Sequence, residues 1–354
     1  MDGVHNFGGR LFAVLNQKPE ARSLHVPEDV AEELAAALPE TQGRRFFPMI
    51  RRLAYHLLAF VLLAVAALVL WREFHKLSLD EIGRAVRAWG WARVGLAVAL
   101  SAMSFLLMGC IEWLGLRWAG ARLRLRSAIA GSFIANAIAH SLGASLIVSG
   151  AVRARYYARH GVSLRQVAAA TLFHGFSFGV GLSTLAGLAL LFAASQHITA
   201  SSRIANPVAD TAGVLLLLGV GGYAALCATL RRPLRAFGHS LRLPSARVAF
   251  AQMGLGAVDN AVASAIIWVL LPAGSVDYLA FVGSYAPSVV VGLISHVPGG
   301  VGVFEGSLST LLKGVEPAAL AAAFLGYRLF FFLFPLLLAG LALALDALRR
   351  APAK

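Results

Sequence analysis

The sequence predicts an all-α polytopic membrane protein, with six full spans and two re-entrant hairpins arranged as an inverted-topology repeat. Three observations predict it. The 354 residues are 58% hydrophobic with a mean hydropathy of +0.73, against roughly 45–50% apolar residues in soluble domains. The apolar residues run in long blocks, Leu53–Leu70, Val94–Ile111, Val167–Ala194, Thr211–Leu230, Phe250–Leu271 and Ala318–Leu345, and about 20 such residues cross a bilayer core as a helix. Two further apolar stretches are broken near their middles by polar residues and glycine, which marks chain that enters the membrane and turns back.

Residues 1–52 carry seven Lys/Arg and seven Asp/Glu and read as a cytoplasmic extension. Within it, Pro27–Leu38 predicts a short helix, since Pro27 suits a first turn and Glu28, Asp29, Glu32 and Glu33 suit a helix N-terminus. The membrane domain is expected over 53–347 and opens with a span at 53–71. The segment 72–93 predicts an amphipathic interfacial helix. Ser78 and Glu81 have capping-box spacing, and Ile82, Val86 and Trp89 share a face.

A span at 92–116 follows. Basic residues between blocks mark the cytoplasmic side: seven in 1–52, four in 117–126, four in 151–166, five in 231–247 and three in 349–354. Segments 117–126 and 151–166 therefore share a side. The stretch 127–150, with Asn136, His140, Ser141, Gly143 and Ser145 near its centre, reads as a hairpin. Irregular backbone at that depth is tolerated where it lines protein or a watery cavity. Spans at 167–194, 211–230 and 247–271 follow. A second hairpin is expected at 279–314, broken at His296–Gly302, and a last span at 317–347 leads to a tail at 348–354. Repeat one (53–194) and repeat two (211–347) then have the same order and opposite orientation, an architecture common in transporters.

The net charge of +14 lies in short clusters between apolar blocks, which excludes nucleic acid as the partner and places both termini in the cytoplasm, with the chain multi-pass in the cell (inner) membrane. Cys110 and Cys227 lie inside apolar blocks without metal-ligand or disulfide spacing. No metal cluster, paired-carboxylate site, nucleophilic triad or ATP-binding loop stands out, so neither a cofactor nor an enzyme activity is expected.

Charged groups within membrane segments are candidate functional residues. Glu112 lies near a cytoplasmic end and reads as a partner of Arg117. Asp259, next to Asn260, and Glu305 read as coupling residues, and Arg328, deep in a block, is placed to pair with Glu305 or Asp259. The run Ser295-His296-Val297-Pro298-Gly299-Gly300-Val301-Gly302-Val303-Phe304-Glu305 loosens the backbone. It is expected to expose amides at the start of a short helix, an arrangement that holds a phosphate. In the first hairpin, Asn136 and His140 are candidate head-group ligands. Arg153 and Arg155, beside Tyr156 and Tyr157, are placed at its cytoplasmic exit, where Arg binds phosphate in a fork. His174 reads as an interior histidine. Gly175 and Gly179 read as a close helix-packing face.

The stretch from Asn136 to Ser163, with the R-x-R-Y element at Arg153–Tyr156, resembles the transmembrane region of the lysylphosphatidylglycerol synthase/flippase family. So do the P-G-G-x-G-x-F-E element at Pro298–Glu305, Gly326-Tyr327-Arg328 with the following Phe run and Pro335, and Asp259 with the Leu270-Leu271-Pro272 ending. The resemblance covers residues 50–347. It implies Asn136, His140, Gly143, Gly150, Arg153, Arg155, Pro298, Gly299, Gly300, Gly302, Glu305 and Arg328 as family positions. It also implies movement of aminoacylated phosphatidylglycerol between leaflets, the lipid being made by a separate domain of the full-length relatives. The chain ends at Lys354, so a partner enzyme is expected to make the lipid. Ser141 and Ser149 stand where the family pattern has Asn and Gly.

The resulting expectation is a lipid translocase acting on anionic or aminoacylated phospholipids. The substrate-binding residues would be Asn136, His140, Arg153, Arg155, Tyr156, His296, Pro298, Gly299, Gly300, Gly302, Glu305 and Arg328, with Asp259 and Glu305 in coupling. Two other classes compete. One is a membrane accessory presenting lipid to a separate lipid-modifying enzyme, the other a proton-coupled small-solute transporter. A homo-oligomer is compatible with each.

Overall fold

A computed structural model describes residues 79–142, 145–195, 207–230, 234–236, 239–241, 243–295 and 298–349. The chain divides into a unit of residues 1–54 and one of 55–354, and the described residues all lie in the second. The expected extension at 1–52, the span at 53–71, the Ser78 cap, Gly143 and His296 fall outside the described residues.

The described chain is helical apart from one small ribbon. Its elements are α1 (Leu79–Trp118), α2 (Leu125–Leu142), α3 (Ser145–Ala158), α4 (Leu164–Ser195), α5 (Pro207–Thr229), α6 (Ala246–Leu270), α7 (Tyr278–Ile294), a 3₁₀ turn (Pro298–Gly300), α8 (Val303–Leu311), α9 (Pro317–Tyr327), a π-helical segment (Arg328–Leu333) and α10 (Phe334–Arg349). Between α5 and α6, Leu234–Ala236 pairs antiparallel with His239–Leu241. Among the described residues, five stretches are long and apolar enough to cross a membrane: Arg87–Trp118, Leu164–Phe192, Val208–Thr229, Ala246–Leu270 and Pro317–Asp346.

The interfacial helix and the span expected at 72–93 and 92–116 are one element, α1, kinked at Gly90, whose φ of 66° and ψ of 161° are not helical. Glycine tolerates that conformation where a side chain does not. The kink turns Trp89 into the core and leaves Trp91 92% exposed, a position suited to a headgroup-level tryptophan.

Helices α2 and α3 form an antiparallel hairpin. The Tyr157 hydroxyl donates to the Ala128 carbonyl at 3.1 Å, and the Tyr157 ring lies where a Cβ on Gly131 would stand, 2.6 Å from its nearest atom. The second arm runs to Ala158. Arg153 and Arg155 are therefore helical, and the loop expected at 151–166 shrinks to the turn before α4. There Ser163 and Gln166 form the capping box: the Gln166 amide donates to Ser163 Oγ at 3.3 Å and the Ser163 amide to Gln166 Oε1 at 3.0 Å.

The centre of the fold is the packing of α6 against α1 and α4. Gly181 and Gly256 bring α4 and α6 into backbone contact. A Cβ on Gly181 would overlap the Gly256 peptide, and one on Gly256 would overlap the Ser177 carbonyl and come 3.1 Å from Gly181 Cα. The close-packing face is thus Ser177/Gly181, not the expected Gly175/Gly179. Gly179 has open space at its Cβ position. Gly256→Ala is expected to lower stability by about 1–3 kcal/mol, since a rigid backbone cannot yield to an added methyl. Gly254→Ala, two residues before Gly256 and on the opposite side of the helix with open space around it, is expected to be neutral. Unfolding of the two variants in detergent checks this.

The last apolar block is a helix with a π-helical insertion. Pro335 cannot give an amide to the Phe331 carbonyl, and the chain answers with wider i→i+5 bonding, the Phe334 amide reaching the Leu329 carbonyl. Ser101 of α1 donates to the freed Phe330 carbonyl at 2.8 Å.

Candidate functional site

A cavity of about 400 Å³ opens between the α2–α3 hairpin, α4, α6, α7 and the π-helical segment. Its wall includes Asn136, His140, Ser149, Arg153, Thr171, His174, Asp259, Asn260, Tyr285, Gly299, Gly300, Tyr327 and Arg328. Seven of the predicted substrate-binding and coupling residues therefore converge, from both halves of the chain: Asn136, His140, Arg153, Asp259, Gly299, Gly300 and Arg328. The tips of the two broken segments meet there. A Cβ built on Gly299 would lie 3.5 Å from the His140 carbonyl and 3.2 Å from Arg328 Nη1.

Two buried ion pairs flank the cavity. The first corrects the expected partners. Glu112 does not pair with Arg117, whose guanidinium instead sits 4.7 Å over the Trp113 ring. Glu112 Oε2 accepts from Arg153 Nε at 2.8 Å, with both side chains almost fully buried. Arg153 is thus not at a solvent-facing exit, although Arg155, two residues on, is exposed. Arg153 Nη2 also donates to Asn136 Oδ1 at 3.2 Å, and Asn136 Nδ2 donates to Ser132 Oγ at 3.0 Å. His174 Nδ1 approaches Glu112 Oε2 to 3.4 Å without a hydrogen-bonding geometry. The other carboxylate oxygen, Oε1, is buried without a partner.

The second pair ties the glycine-rich turn to the last helix. Arg328 donates through Nε (2.8 Å) and Nη2 to Glu305 Oε1, and through Nη1 to the Gly299 carbonyl at 2.6 Å. Its guanidinium lies 4.6 Å over the Phe332 ring. The other oxygen of Glu305 accepts from the Gly302 amide at 2.8 Å. Gly299, Gly300 and Gly302 have φ of 62°, 65° and 81°, conformations that suit glycine and let the turn bend back under Arg328. The amide expected to stay open for an outside anion at the start of α8 is therefore taken by the protein's own carboxylate. Pro298 opens the 3₁₀ turn.

Tyr156 lies off the cavity, its ring stacked on His160 at 5.3 Å and edge-on to Tyr157 at 5.3 Å. Glu305 and Gly302 act behind the wall, through Arg328 and the turn. Asp259 does not pair with Arg328. Its Oδ1 accepts from Ser104 Oγ of α1 at 2.5 Å, across the crossing of the two central helices. The site residues that sequence reasoning underrated are His174 and Asn260. Both are polar groups on apolar helices, and each carries a buried polar atom without a hydrogen-bond partner. Among the described residues no group of three His, Cys, Asp or Glu is placed to hold a metal ion.

Comparison with known proteins gives a consistent identity. Residues 57–339 match the family model described as the lysylphosphatidylglycerol synthase TM region. The chain is 30% identical over 297 residues to the inner membrane protein YbhN of Escherichia coli strain K12, covering 81% of this chain and 91% of that protein. It is also 30% identical over 282 residues to the uncharacterized protein slr0712 of Synechocystis sp., covering 75% of this chain and 87% of that one.

Proposed function

The chain belongs to the lysylphosphatidylglycerol synthase transmembrane-region family, and from that premise we propose that this membrane protein carries phospholipid head groups between the leaflets of the inner membrane. The observation that carries the reading is the meeting of two broken helical segments, one from each half of the chain, over a cavity walled by buried ionisable side chains. A polar head group crosses hydrocarbon only where the protein replaces its lost water contacts. Buried Arg, His and Asn groups do that, and charged residues at such depth are costly and rare, so that their presence marks a pathway.

In this reading α2–α3 and α7–α8 are re-entrant hairpins. Together with six spans, the first at 53–71, they form an inverted repeat with both termini in the cytoplasm. Anionic and aminoacylated phospholipids are the substrate class. Transport, rather than covalent chemistry, is the activity, and a separate enzyme supplies any modified lipid.

The test is reconstitution of the full chain into liposomes carrying fluorescently labelled phosphatidylglycerol, phosphatidylethanolamine or aminoacylated phosphatidylglycerol, with the outer leaflet bleached chemically. Transbilayer movement of at least one lipid should exceed the protein-free rate by about tenfold or more. Protein-free rates for the whole set would overturn the reading.

A further inference from the structure

Glu112 is a buried carboxylate that its neighbours satisfy only in part. Its Oε2 accepts from Arg153 Nε at 2.8 Å, with side chains 0% and 1% exposed. Its Oε1 is buried and meets no donor among the described residues. Tyr157 does not supply one, because its single hydroxyl proton goes to the Ala128 carbonyl at 3.1 Å. His174 Nδ1 stands 3.4 Å from Glu112 Oε2, buried and without a hydrogen bond. An acid with an unpartnered oxygen and a histidine with an unpartnered nitrogen thus face each other inside the fold, and buried polar atoms left so are unfavourable.

The imidazole links this pair to the cavity. Its side chain is 14% exposed and lines the wall, while Nδ1 is buried, so the exposed part of the ring lies away from that nitrogen. A carboxylate beside Nδ1 favours the proton on Nδ1 and leaves Nε2 as the acceptor. The ring can then take up a second proton from the cavity, with a carboxylate already beside it.

Charge balance decides when it does so. With His174 neutral, Glu112 and Arg153 cancel. With His174 protonated, the three carry one net positive charge out of water, which is costly. The groups on the surrounding helices leave that charge largely uncompensated. α2 brings His140, and α3 brings Arg153 and Tyr157. α7 brings Tyr285, and Tyr223 of α5 is bonded to Gln252. Arg328 is committed to Glu305. Asp259 of α6, on the same wall and bonded to Ser104, offsets part of the charge when ionised. An anion entering the cavity offsets more, and by linkage it binds more tightly when the proton is present.

We propose that His174, oriented by Glu112, is a proton-binding site of the cavity, and that it takes up a proton when an anionic group enters. The inference rests on the reading above for the nature of the anion, a phosphate-bearing head group, and it ties the proposed translocase to a proton gradient.

The probe is short-chain phosphatidylglycerol, whose phosphodiester keeps its charge, so that a pH dependence belongs to the protein. Its binding to the purified full-length chain is measured from about pH 5 to about pH 9, which brackets the ordinary titration of histidine. The complex holds more protons than the free protein. Affinity should therefore be highest at low pH and fall as pH rises, by up to about tenfold per pH unit. Binding in weakly buffered solution with a pH indicator should show uptake of up to about one proton per chain. His174→Gln should flatten the profile and abolish the uptake, and His174→Asn serves should that variant not fold. Glycerophosphoglycerol, the same head without acyl chains, tells a free anion from a lipid: the probe that takes up the proton identifies the source. A flat profile in the unaltered protein would overturn the proposal, as would a slope that survives in the variants or failure of both probes to bind at any pH. Proton uptake with transbilayer movement at the protein-free rate would uphold the proton site and refute the translocase. Movement of lipid with pH-independent binding would do the reverse.

Discussion

Glu112→Leu alone is expected to destabilise the protein by about 3–5 kcal/mol, because it leaves the Arg153 guanidinium buried without its counter-ion. The geometry gives Arg153 little alternative. The side chain is 1% exposed and its remaining acceptor is Asn136. Arg153→Met alone should cost a similar amount, since the Glu112 carboxylate is 0% exposed and already has one oxygen without a partner. The double variant Glu112→Leu/Arg153→Met should recover most of the loss, since desolvation of two charges offsets much of their attraction. The check is a double-mutant cycle on unfolding of the detergent-solubilised chain. Single variants within about 1 kcal/mol of the parent would contradict it. The double variant then tells stability from activity. If it folds but no longer moves lipid, the pair serves the pathway as well as the fold.

Arg328→Lys is the second large effect, and it should fall on activity. The charge is kept, but a lysine ammonium is a point donor and cannot reproduce a planar fork. Arg328 reaches Glu305 with two nitrogens and the Gly299 carbonyl with the third, while Glu305 holds the Gly302 amide. One guanidinium therefore sets the shape of a turn built from three left-handed glycines. With lysine the turn is free to leave the His140 tip, and head-group transfer should fall about tenfold or more, the scale of misplacing a positioning group. Transbilayer movement in liposomes measures it, with unfolding of the variant as the control for folding. Wild-type movement by Arg328→Lys would show that the fork does not position the turn.

The helices were legible in the sequence because a run of apolar residues long enough to cross a bilayer has few other stable forms. The breaks between Leu142 and Ser145 and within the expected His296–Gly302 run, of which Pro298–Gly302 is described, were legible for the opposite reason: polar, glycine-rich chain cannot continue a packed helix at no cost. What failed was the reading of single charges. Arg153 sits in a basic stretch, and bases there ordinarily anchor a loop. Its partner is 41 residues away, and no local spacing announces a contact of that range. Arg117, five residues from Glu112, was the nearer candidate and was wrong. Arg328 and Glu305 were easier, since an arginine deep in an apolar block has to find an acid and few were on offer. The Gly90 kink and the Ser177/Gly181–Gly256 contact were not legible, because small residues at several spacings compete and only the packing decides among them.

The inserted residue in the last helix has a further effect. One extra residue per turn throws everything beyond it out of phase by about 100°. The stretch before the insertion packs on α6, and the stretch after it packs on α2, so a single rod serves two neighbours that a straight one would not face together. Removing one residue from the Phe330–Phe332 run would restore the regular winding and force the rod to abandon one of them.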